Sequence, residues 1–567
     1  MNFNARFVTL VAGVLFFFLA LVTQGVLPFL EPSSRTADVT AVVRTDLGQL
    51  KWTRTEASDY TAVQQLGRRV YLREGCWYCH SQYVRPVTGE TRRWGPVSEA
   101  GEYAYDVPHL FGTRRIGPDL TRVGLKYGDE WHLAHFFNPR MLTPESIMAP
   151  FRGLFAMPNA PIKIVDDEAG NRTLEKTETT QKLFDFNSKE QMKLTPNADG
   201  LLFVPMQAHD KFPLIWTPNK EYTGDTVKIA AETDELRALI AYVQKLGMNR
   251  GKWRDLFEPQ QLEFTEASFP RSAQMIAYGK EVYQTRCMGC HGVKGDGNGP
   301  AATFLFNQRP RNFNLGVFKF RVTQKPVPTD GDLLRTITRG VRGTAMPAWY
   351  ELPLNDRIAV IAYIKYELAV DHSDPTKPYA YFVEEPAGAP LVVGPAPAPS
   401  AELINHGKDV WQSAKCWECH GHTGKGDGEK AAGLKDDFGF PVRPANLTSG
   451  QFKSGPAAED IFRTMSTGLS GTPMPSYRDS LSEADRWALA YYILSLSAFT
   501  DPLTGEPLPI SSADRTALND PKLQADSPDD AYVPGGREKR AAAVSVTAQS
   551  ARAVLKTGGD GPTQKDQ

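Results

Sequence analysis

The pattern of apolar and polar residues predicts one membrane-length helix at the start of the chain. Residues 7–27 form an almost uninterrupted apolar run with Phe16, Phe17 and Phe18 at its centre. About 20 such residues span a bilayer. A cleaved signal peptide is the alternative. We favour a retained anchor, because residues 28–32 offer no cleavage site flanked by small residues.

Later in the chain, apolar residues recur at the spacing of amphipathic helices. The clearest stretches are residues 59–73, 234–246, 356–368 and 483–496, and Gly247 provides a stop signal for the second of them. The helix before residue 74 ends in Gly67-Arg68-x-Val70-Tyr71, and related sequences recur at residues 279–283 and 407–411. The pattern therefore predicts a mainly α fold built from repeated units.

Residues 150–232 interrupt this helical pattern with short apolar runs that predict β-structure. Residues 162–165 and 173–174 flank an acidic turn that contains glycine, which predicts one hairpin. Residues 183–186 and 201–204 lie on either side of Asn197-Ala198-Asp199-Gly200, which predicts a second. We assign no chemistry to this segment and interpret it as an insertion.

The motif C-x-x-C-H occurs three times and contains all six cysteines of the chain. It is the attachment signature of a c-type haem. Two thiols bond to the vinyl groups of the porphyrin, and the adjacent imidazole binds the iron on its proximal side. The sequence therefore predicts three covalently bound haem c groups, attached through Cys76, Cys79, Cys287, Cys290, Cys416 and Cys419 with His80, His291 and His420 as iron ligands.

A single C-x-x-C could also belong to a zinc site or to a thioredoxin-like redox pair. A four-cysteine zinc site requires no histidine after each pair, and a thioredoxin motif requires a βαβ context. The threefold repetition with histidine favours haem over both. The formal net charge of −1 gives no case for nucleic acid as a partner.

Residues 270–370 and 400–498 form an internal repeat. Lys294-Gly295-Asp296-Gly297 matches Lys425-Gly426-Asp427-Gly428, and each copy reaches a Met-Pro pair six residues after a glycine. A thioether is a suitable distal ligand for haem iron. We therefore predict two class I cytochrome c domains with Met346 and Met474 as distal ligands, and we interpret Met465 as a core residue.

The first 150 residues resemble the mono-haem subunit of cbb3-type cytochrome c oxidases. The resemblance rests on residues 73–86, on Gly112-Thr113-Arg114-Arg115-Ile116-Gly117-Pro118-Asp119-Leu120, on residues 131–140 and on Pro144-Glu145-Ser146-x-Met148. It resumes at the helix 234–246. The resemblance implies that Met148 is the distal ligand of the first haem.

Other residues remain alternatives for that distal position. Met157-Pro158 matches the Met-Pro pattern of the two repeats. A histidine can replace methionine as an iron ligand, although a lone histidine is more often a satisfied polar group or a contact of a haem carboxylate. The histidines near the first motif are His109, His132 and His135.

The predicted architecture is an N-terminal transmembrane helix followed by three class I cytochrome c domains, of which the first contains a partly β insertion. Residues 373–400 are rich in proline and alanine and predict a semi-stiff spacer. Residues 501–567 are polar and predict a disordered tail. The predicted boundaries are 1–35 for the anchor, 36–255 for the first domain with its insertion at about 150–232, 256–372 for the second, 373–400 for the linker and 401–500 for the third.

Because c-type haems are assembled on the periplasmic side in bacteria, the apolar helix and the haem motifs predict a single-pass protein of the bacterial inner membrane with its haem domains in the periplasm. The resemblance implies that it passes electrons from a soluble cytochrome c or a quinol–cytochrome c reductase to the haem-copper catalytic subunit of a cbb3-type oxidase in aerobic respiration. Iron that is held from both faces by protein has no open position for a substrate. The chain is therefore predicted to transfer electrons and not to be catalytic by itself.

Two other functions remain open. The chain could serve a related nitric-oxide reductase or another respiratory complex, or it could be a di-haem peroxidase, which needs one haem with an open face. The fused di-haem module departs from the family, in which mono-haem and di-haem subunits are separate chains. Nothing in the sequence orders the two C-terminal haem sites.

Overall fold

A computed structural model describes most of the chain between residues 4 and 498. The described residues are 4–31, 36–87, 89–166, 168, 170, 172–183, 192–194, 196–205, 214–216, 222–257, 269, 271–306, 309–325, 327–385, 387–440 and 442–498. The predicted tail 501–567 and part of the second predicted hairpin lie outside them.

Helices make up most of the described structure. The α-helices are α1 (Ala5–Leu21), α2 (Leu27–Leu30), α3 (Ala62–Arg73), α4 (Glu90–Trp94), α5 (Asp129–Phe137), α6 (Glu178–Leu183), α7 (Asp234–Lys245), α8 (Trp253–Phe257), α9 (Ala273–Arg286), α10 (Met288–His291), α11 (Asp330–Arg339), α12 (Leu354–Tyr363), α13 (Tyr381–Glu384), α14 (Ala401–Ser413), α15 (Trp417–His420), α16 (Ala458–Thr467) and α17 (Glu483–Ser495). Single π-helical turns, Val22–Val26 and Ile364–Leu368, extend α1 and α12.

The strands form four small sheets. They are β1 (Asp38–Arg44), β2 (Leu50–Glu56), β3 (Ile162–Asp166), β4 (Arg172–Leu174), β5 (Met192–Leu194), β6 (Leu201–Val204), β7 (Leu214–Trp216), β8 (Thr226–Ala231), β9 (Val370–Asp371) and β10 (Tyr379–Ala380). The largest sheet has the order β4-β3-β8-β6, and the others are the pairs β1-β2, β5-β7 and β9-β10.

The N-terminal helix has the length and composition of a membrane span. It runs without a break over the 26 residues Ala5–Leu30, and its most apolar 18-residue window has a mean hydropathy of 2.4 and is 0% buried in the protein. The side chain of Asn4 caps its first turn by accepting a hydrogen bond from the N–H of Phe7 at 2.8 Å. A helix that exposes apolar side chains all round is stable in a membrane rather than in water, which fits the predicted anchor.

Each predicted haem domain is organised around the crossing of two helices, and in each pair the backbones touch at a glycine. The pairs are α3 with α7, α9 with α12 and α14 with α17. A Cβ added at the glycine would lie only 1.8 to 2.1 Å from a carbonyl oxygen of the partner helix, at Gly67 (Ala238), Gly279 (Ala359) and Gly407 (Ala488). A larger residue would force the helices apart, so the glycine of the recurring Gly-Arg/Lys sequence permits the crossing.

An aromatic pair closes each crossing on the side of the C-x-x-C-H motif. The ring centroids lie 5.3, 5.4 and 5.6 Å apart in the pairs Tyr71–Tyr242, Tyr283–Tyr363 and Trp411–Tyr492. Tyr71, Tyr283 and Trp411 are each 1% exposed. The Gly-x-x-Val-aromatic lead-in that the sequence repeats is therefore the packed face of the first helix in each domain.

The segment 150–232 contains the first predicted hairpin, because strands β3 and β4 pair in antiparallel register, as predicted. Residues 184–186 of the second predicted hairpin lie outside the described residues, and its other strand, β6, pairs in parallel with β8. The turn at Asn197 closes on Leu201, whose carbonyl accepts from the Asn197 N–H at 2.9 Å. The partner of β6 is therefore a strand distant in the sequence, which local alternation cannot identify.

The segment predicted as a spacer lies against both flanking domains. The N–H of Leu391 donates to the carbonyl of Val322 at 2.7 Å, and the hydroxyl of Tyr491 donates to the carbonyl of Pro397 at 2.7 Å. Leu391 and Val393 also pack against the core of the third domain. Residues 387–397 thus connect the two repeats through contacts as well as through the chain.

The structural alignment of the two repeats differs from the sequence match at the glycine-rich loops. The N–H of Gly297 donates to His291 O at 2.9 Å, and the N–H of Gly426 donates to His420 O at 2.8 Å. Gly297 therefore corresponds to Gly426, not to Gly428 as the shared Lys-Gly-Asp-Gly sequence predicted. Backbone hydrogen bonding to the haem motif, rather than side-chain identity, sets the alignment of this loop.

The helix crossing of the first domain gives a direct stability prediction. We expect Gly67→Ala to lower the free energy of unfolding by about 1–3 kcal/mol, because the new Cβ overlaps the Ala238 carbonyl. Thermal unfolding of the full chain measures the change. Gly153→Ala is the control: it has nothing within 4 Å and should stay within about 0.5 kcal/mol of wild type. Equal stability of both variants would contradict the packing role of Gly67.

Candidate haem-binding sites

The three C-x-x-C-H motifs form one kind of backbone turn. The N–H of the histidine donates to the carbonyl of the first cysteine at 3.0 Å in His80–Cys76, His291–Cys287 and His420–Cys416. The turn directly follows α3, α9 or α14, so the helix crossing determines where the cysteines lie. The six thiols form no disulfide, and each pair remains available for thioether bonds.

Burial raises the pKa of four of the six thiols, that of Cys76, Cys287 and Cys290 to about 12 and that of Cys416 to about 11. In the part of the chain that the structure describes, no group of three or more His, Cys, Asp or Glu side chains is arranged to hold a metal ion. This arrangement gives no support to the zinc interpretation.

The three motif histidines share one orientation. Their Nδ1 atoms lie 2.8, 3.1 and 3.4 Å from backbone carbonyl oxygens in the pairs His80–Pro118, His291–Arg311 and His420–Ala445. A carbonyl only accepts, so Nδ1 carries the proton and Nε2 has a free lone pair. Burial lowers the pKa of all three imidazoles, that of His291 to about 4. Neutral imidazole with a free Nε2 is the form that binds a metal.

The space beside the first imidazole is shaped by a glycine. A Cβ at Gly117 would lie 2.2 Å from Cε1 of His80, and the N–H of Gly117 donates to Cys79 O at 3.0 Å. The equivalent bonds in the repeats join Gly299 to Cys290 and Gly428 to Cys419, at 3.1 and 3.2 Å. The glycine of the Ile-Gly-Pro-Asp sequence thus lets the loop pack directly on the imidazole.

The three candidate distal methionines lie in equivalent loops. In each, the methionine N–H donates to a hydroxyl two residues earlier, at 3.3 Å in Met148–Ser146, 3.1 Å in Met346–Thr344 and 3.3 Å in Met474–Thr472. Three residues after each methionine, an aromatic N–H donates to a carbonyl of the preceding helix, at 2.8 to 3.1 Å in Phe151–Phe136, Trp349–Ile337 and Tyr477–Met465. Met148 therefore occupies the structural position of Met346 and Met474.

The rival Met157 lies elsewhere. Its side chain is 41% exposed, whereas Met148 packs against the core of the first domain together with Cys76. Met157-Pro158 matches the Met-Pro pairs of the repeats in sequence, but its loop lacks their hydrogen-bond pattern. The structure favours Met148, as the resemblance implied. Met465 is 2% exposed, in agreement with a core role.

The other histidines of the first domain take different places. His109 is exposed and stacks on Phe111. His132 and His135 lie on α5, and burial lowers the pKa of each to about 3. The hydrogen bond from the N–H of Phe151 to the carbonyl of Phe136 is equivalent to the bonds that end at Ile337 and Met465 in the repeats. His135, one residue before the acceptor, therefore corresponds to Thr336 and Thr464. Within the described residues, His132 Nε2 and His135 Nδ1 have no hydrogen-bond partner.

A cation-rich cavity separates the second and third domains. It is lined by equivalent residues of both repeats, Arg335 and Thr336 from one and Arg463 and Thr464 from the other, together with Lys453 and Asp332. Arg335 pairs with Asp332 at 3.1 Å and Arg463 with Asp460 at 2.8 Å, and burial lowers the pKa of Lys453 to about 8. Nε of Arg463 is buried without a hydrogen-bond partner among the described residues. Haem carries two carboxylates, so these donors fit that group.

Family models match three parts of the chain. Residues 48–249 match the model described as cytochrome c oxidase, mono-haem subunit/FixO. Residues 274–364 match cytochrome c oxidase, cbb3-type, subunit III, and residues 404–497 match cytochrome c. The first match extends past the residues that carry the sequence resemblance, through the segment 150–232 to the end of α7.

Among solved structures, a chain of the Kuenenia stuttgartiensis reducing HAO-like protein complex is 36% identical to this one. The alignment covers 40% of this chain and 98% of that chain, with a TM-score of 0.36. No curated protein matches the chain.

Haem content follows from the three equivalent motifs. We expect a ratio of three haems per chain and no thiol that reacts with a label, because all six cysteines lie in C-x-x-C-H motifs. Covalent haem should survive denaturation and stain the band on a gel. A ratio of two, or one labelled cysteine pair, would show that one motif does not bind haem.

The distal ligand of the first site can be tested by paired methionine variants. We expect Met148→Ala to remove one of three methionine–iron charge-transfer contributions at the red end of the visible spectrum, and Met148→His to keep a low-spin haem of lower potential. Met157→Ala is the matched control and should leave the spectrum unchanged. Loss of the band in the Met157 variant alone would transfer the ligand role to Met157, and its retention in both would point to a histidine.

Proposed function

We propose that this chain delivers electrons to the haem-copper catalytic subunit of a cbb3-type cytochrome c oxidase. The chain joins a mono-haem subunit of that oxidase family to further cytochrome c domains. The observation that carries this proposal is the family match over residues 48–249. The match to cbb3-type subunit III over residues 274–364 supports it, because it places two subunit types of one oxidase in a single chain.

The chain's residues are suited to hold haem and to keep substrates away from it. Haem c supplies a one-electron iron couple when bound. The carbonyl contacts of His80, His291 and His420 hold each imidazole in its ligating form. The equivalent loops of Met148, Met346 and Met474 support a thioether ligand on the opposite face. Such sites favour electron transfer without catalysis by this chain.

The N-terminal helix is suited to attach the chain to its partner. The apolar helix Ala5–Leu30 is long enough to cross a bilayer, and the oxidase family is membrane-associated. We propose that it stays in the mature protein as a single span of the bacterial inner membrane, with the haem domains in the periplasm. Electrons would come from a soluble cytochrome c or a quinol–cytochrome c reductase.

The two alternative functions receive less support. A di-haem peroxidase needs one iron with an open face, and the three equivalent methionine loops weigh against it. A nitric-oxide reductase would use the same electron-transfer chemistry, but the matched families are both oxidase subunits.

Isolation of the native complex tests the proposal. A tagged full chain, solubilised from its own membranes, should co-purify with the haem-copper catalytic subunit of a cbb3-type oxidase, and N-terminal sequencing should find residues 7–27 retained. Mass spectrometry of the largest subunit gives the acceptor. A nitric-oxide reductase subunit in its place, or a chain that purifies alone, would contradict the proposal. An N-terminus beyond residue 30 would contradict the anchor.

A further inference from the structure

The loop 299–306, which follows the second C-x-x-C-H motif, is one of the segments of the second domain that contact the first. The methionine loop of the second domain is another: the N–H of Gly128 donates to Thr344 O at 3.2 Å, and Arg342 pairs with Asp255. Ala301 and Phe304 are each 0% exposed and belong to the same apolar cluster as the core of the first domain. Cys290 packs against this cluster too, as does Met148. The haem-attachment motif of the second domain and the methionine loop of the first domain therefore border one shared core.

Aromatic residues of the first domain surround Phe304. The centroid of its ring lies 4.9 Å from that of Phe203, 5.2 Å from Phe137 and 6.3 Å from Phe155. Phe155 and Phe203 lie in the segment 150–232. Aromatic pairs at these separations add to the free energy gained by burial. The segment thus contributes directly to the contact.

Strand β6 of the same segment provides polar contacts. β6 is the edge strand of its sheet, and an edge strand has backbone groups that need partners. The N–H of Phe203 donates to Thr303 Oγ1 at 3.1 Å, and Nδ2 of Asn197 donates to the carbonyl of Pro300 at 3.1 Å. The loop 299–306 therefore covers the free edge of β6.

The motif itself touches the first domain at Gly289. A Cβ at this glycine would lie 2.0 Å from the carbonyl oxygen of Met141. A side chain here would push the domains apart, and a carboxylate would also be buried against a carbonyl without a donor. The contact requires glycine between the two cysteines of the second motif.

The third domain has different residues at four of these positions. The N–H of Ala301 donates to Gly289 O at 2.9 Å, and the N–H of Lys430 donates to Glu418 O at 2.8 Å, which aligns the two loops residue by residue. Glu418 thus replaces Gly289, Lys430 replaces Ala301, Ala432 replaces Thr303 and Gly433 replaces Phe304. The Lys430 side chain is 65% exposed and pairs with Glu418.

We propose that β6 and the aromatic residues Phe137, Phe155 and Phe203 form a docking surface that accepts the second cytochrome c domain and rejects the third. The duplicated domains present the same loop, but the second carries Ala301 and Phe304 where the third carries Lys430 and Gly433, so only the loop of the second domain fits this surface. The surface therefore favours the haem-attachment motif of the second domain at this face of the first domain, and it gives the segment 150–232 a function.

Amide hydrogen exchange of the full, haem-loaded chain tests this docking surface. Gly289→Glu puts the third domain's residue into the second motif and changes neither its cysteines nor its histidine. We expect amide exchange in residues 201–204 and 302–305 to become at least about tenfold faster, with α9 and α12 unchanged. Glu418→Gly, the reverse exchange, should leave all of these segments as protected as in wild type.

A second pair of variants avoids any effect on the motif. Thr303→Ala removes the hydroxyl bonded to Phe203, and exchange of the Phe203 amide should accelerate, whereas Ala432→Thr should change nothing. Wild-type protection of residues 201–204 in both Gly289→Glu and Thr303→Ala would overturn the proposal, as would equal effects of the control variants. The readout is protection, so it is independent of the electron acceptor that is proposed above.

Discussion

The three predicted haem domains depend on two helices that touch backbone to backbone. At Gly67, Gly279 and Gly407 the partner carbonyl occupies the space of a side chain. This contact fixes the angle and distance between the first and last helices of each domain. The C-x-x-C-H turn follows the first helix at once, so the position of the cysteines and the histidine is a consequence of the crossing. The aromatic pair beside each crossing then fills the remaining space.

A second constraint concerns the polar atoms of the buried sites. A histidine that binds a metal must be neutral and must present one particular nitrogen. Burial lowers the pKa of the imidazole, and a backbone carbonyl holds the proton on Nδ1, at all three sites. The methionine loops obey a similar rule, since a hydroxyl two residues earlier satisfies each methionine N–H. Backbone carbonyls thus orient the three histidines, and a serine or threonine hydroxyl holds each methionine loop.

Duplication produced two domains with the same internal contacts and different surfaces. The second domain carries an apolar loop that lies against the first domain, and the third carries charged residues at the same positions. The second and third domains meet instead across a cavity lined by arginine and lysine. The third domain also touches the first, where Nζ of Lys252 donates to Ser449 O at 2.6 Å, so the two duplicated domains meet the first domain through different surfaces.

The sequence by itself determined the elements whose signals are local. The C-x-x-C-H motifs, the Gly-x-x-Val-aromatic lead-in, the amphipathic last helices and the apolar N-terminal helix all follow from the spacing of neighbouring residues.

The sequence did not reveal the hairpin β1-β2, although the run from Val39 to Val43 is apolar and Gly48 marks its turn. The sequence also did not predict the pairing of β6 with β8, which lies more than twenty residues later. Alternation of residues within a strand carries no information about which strand it pairs with. The family resemblance implied Met148 over Met157, and the tertiary structure added an independent reason, because the bond from Phe151 to Phe136 places Met148 in a loop equivalent to those of Met346 and Met474. It also shifted the alignment of the glycine-rich loops by two residues, since hydrogen bonds to the histidine carbonyl constrain that loop more strongly than a shared Lys-Gly-Asp-Gly sequence does.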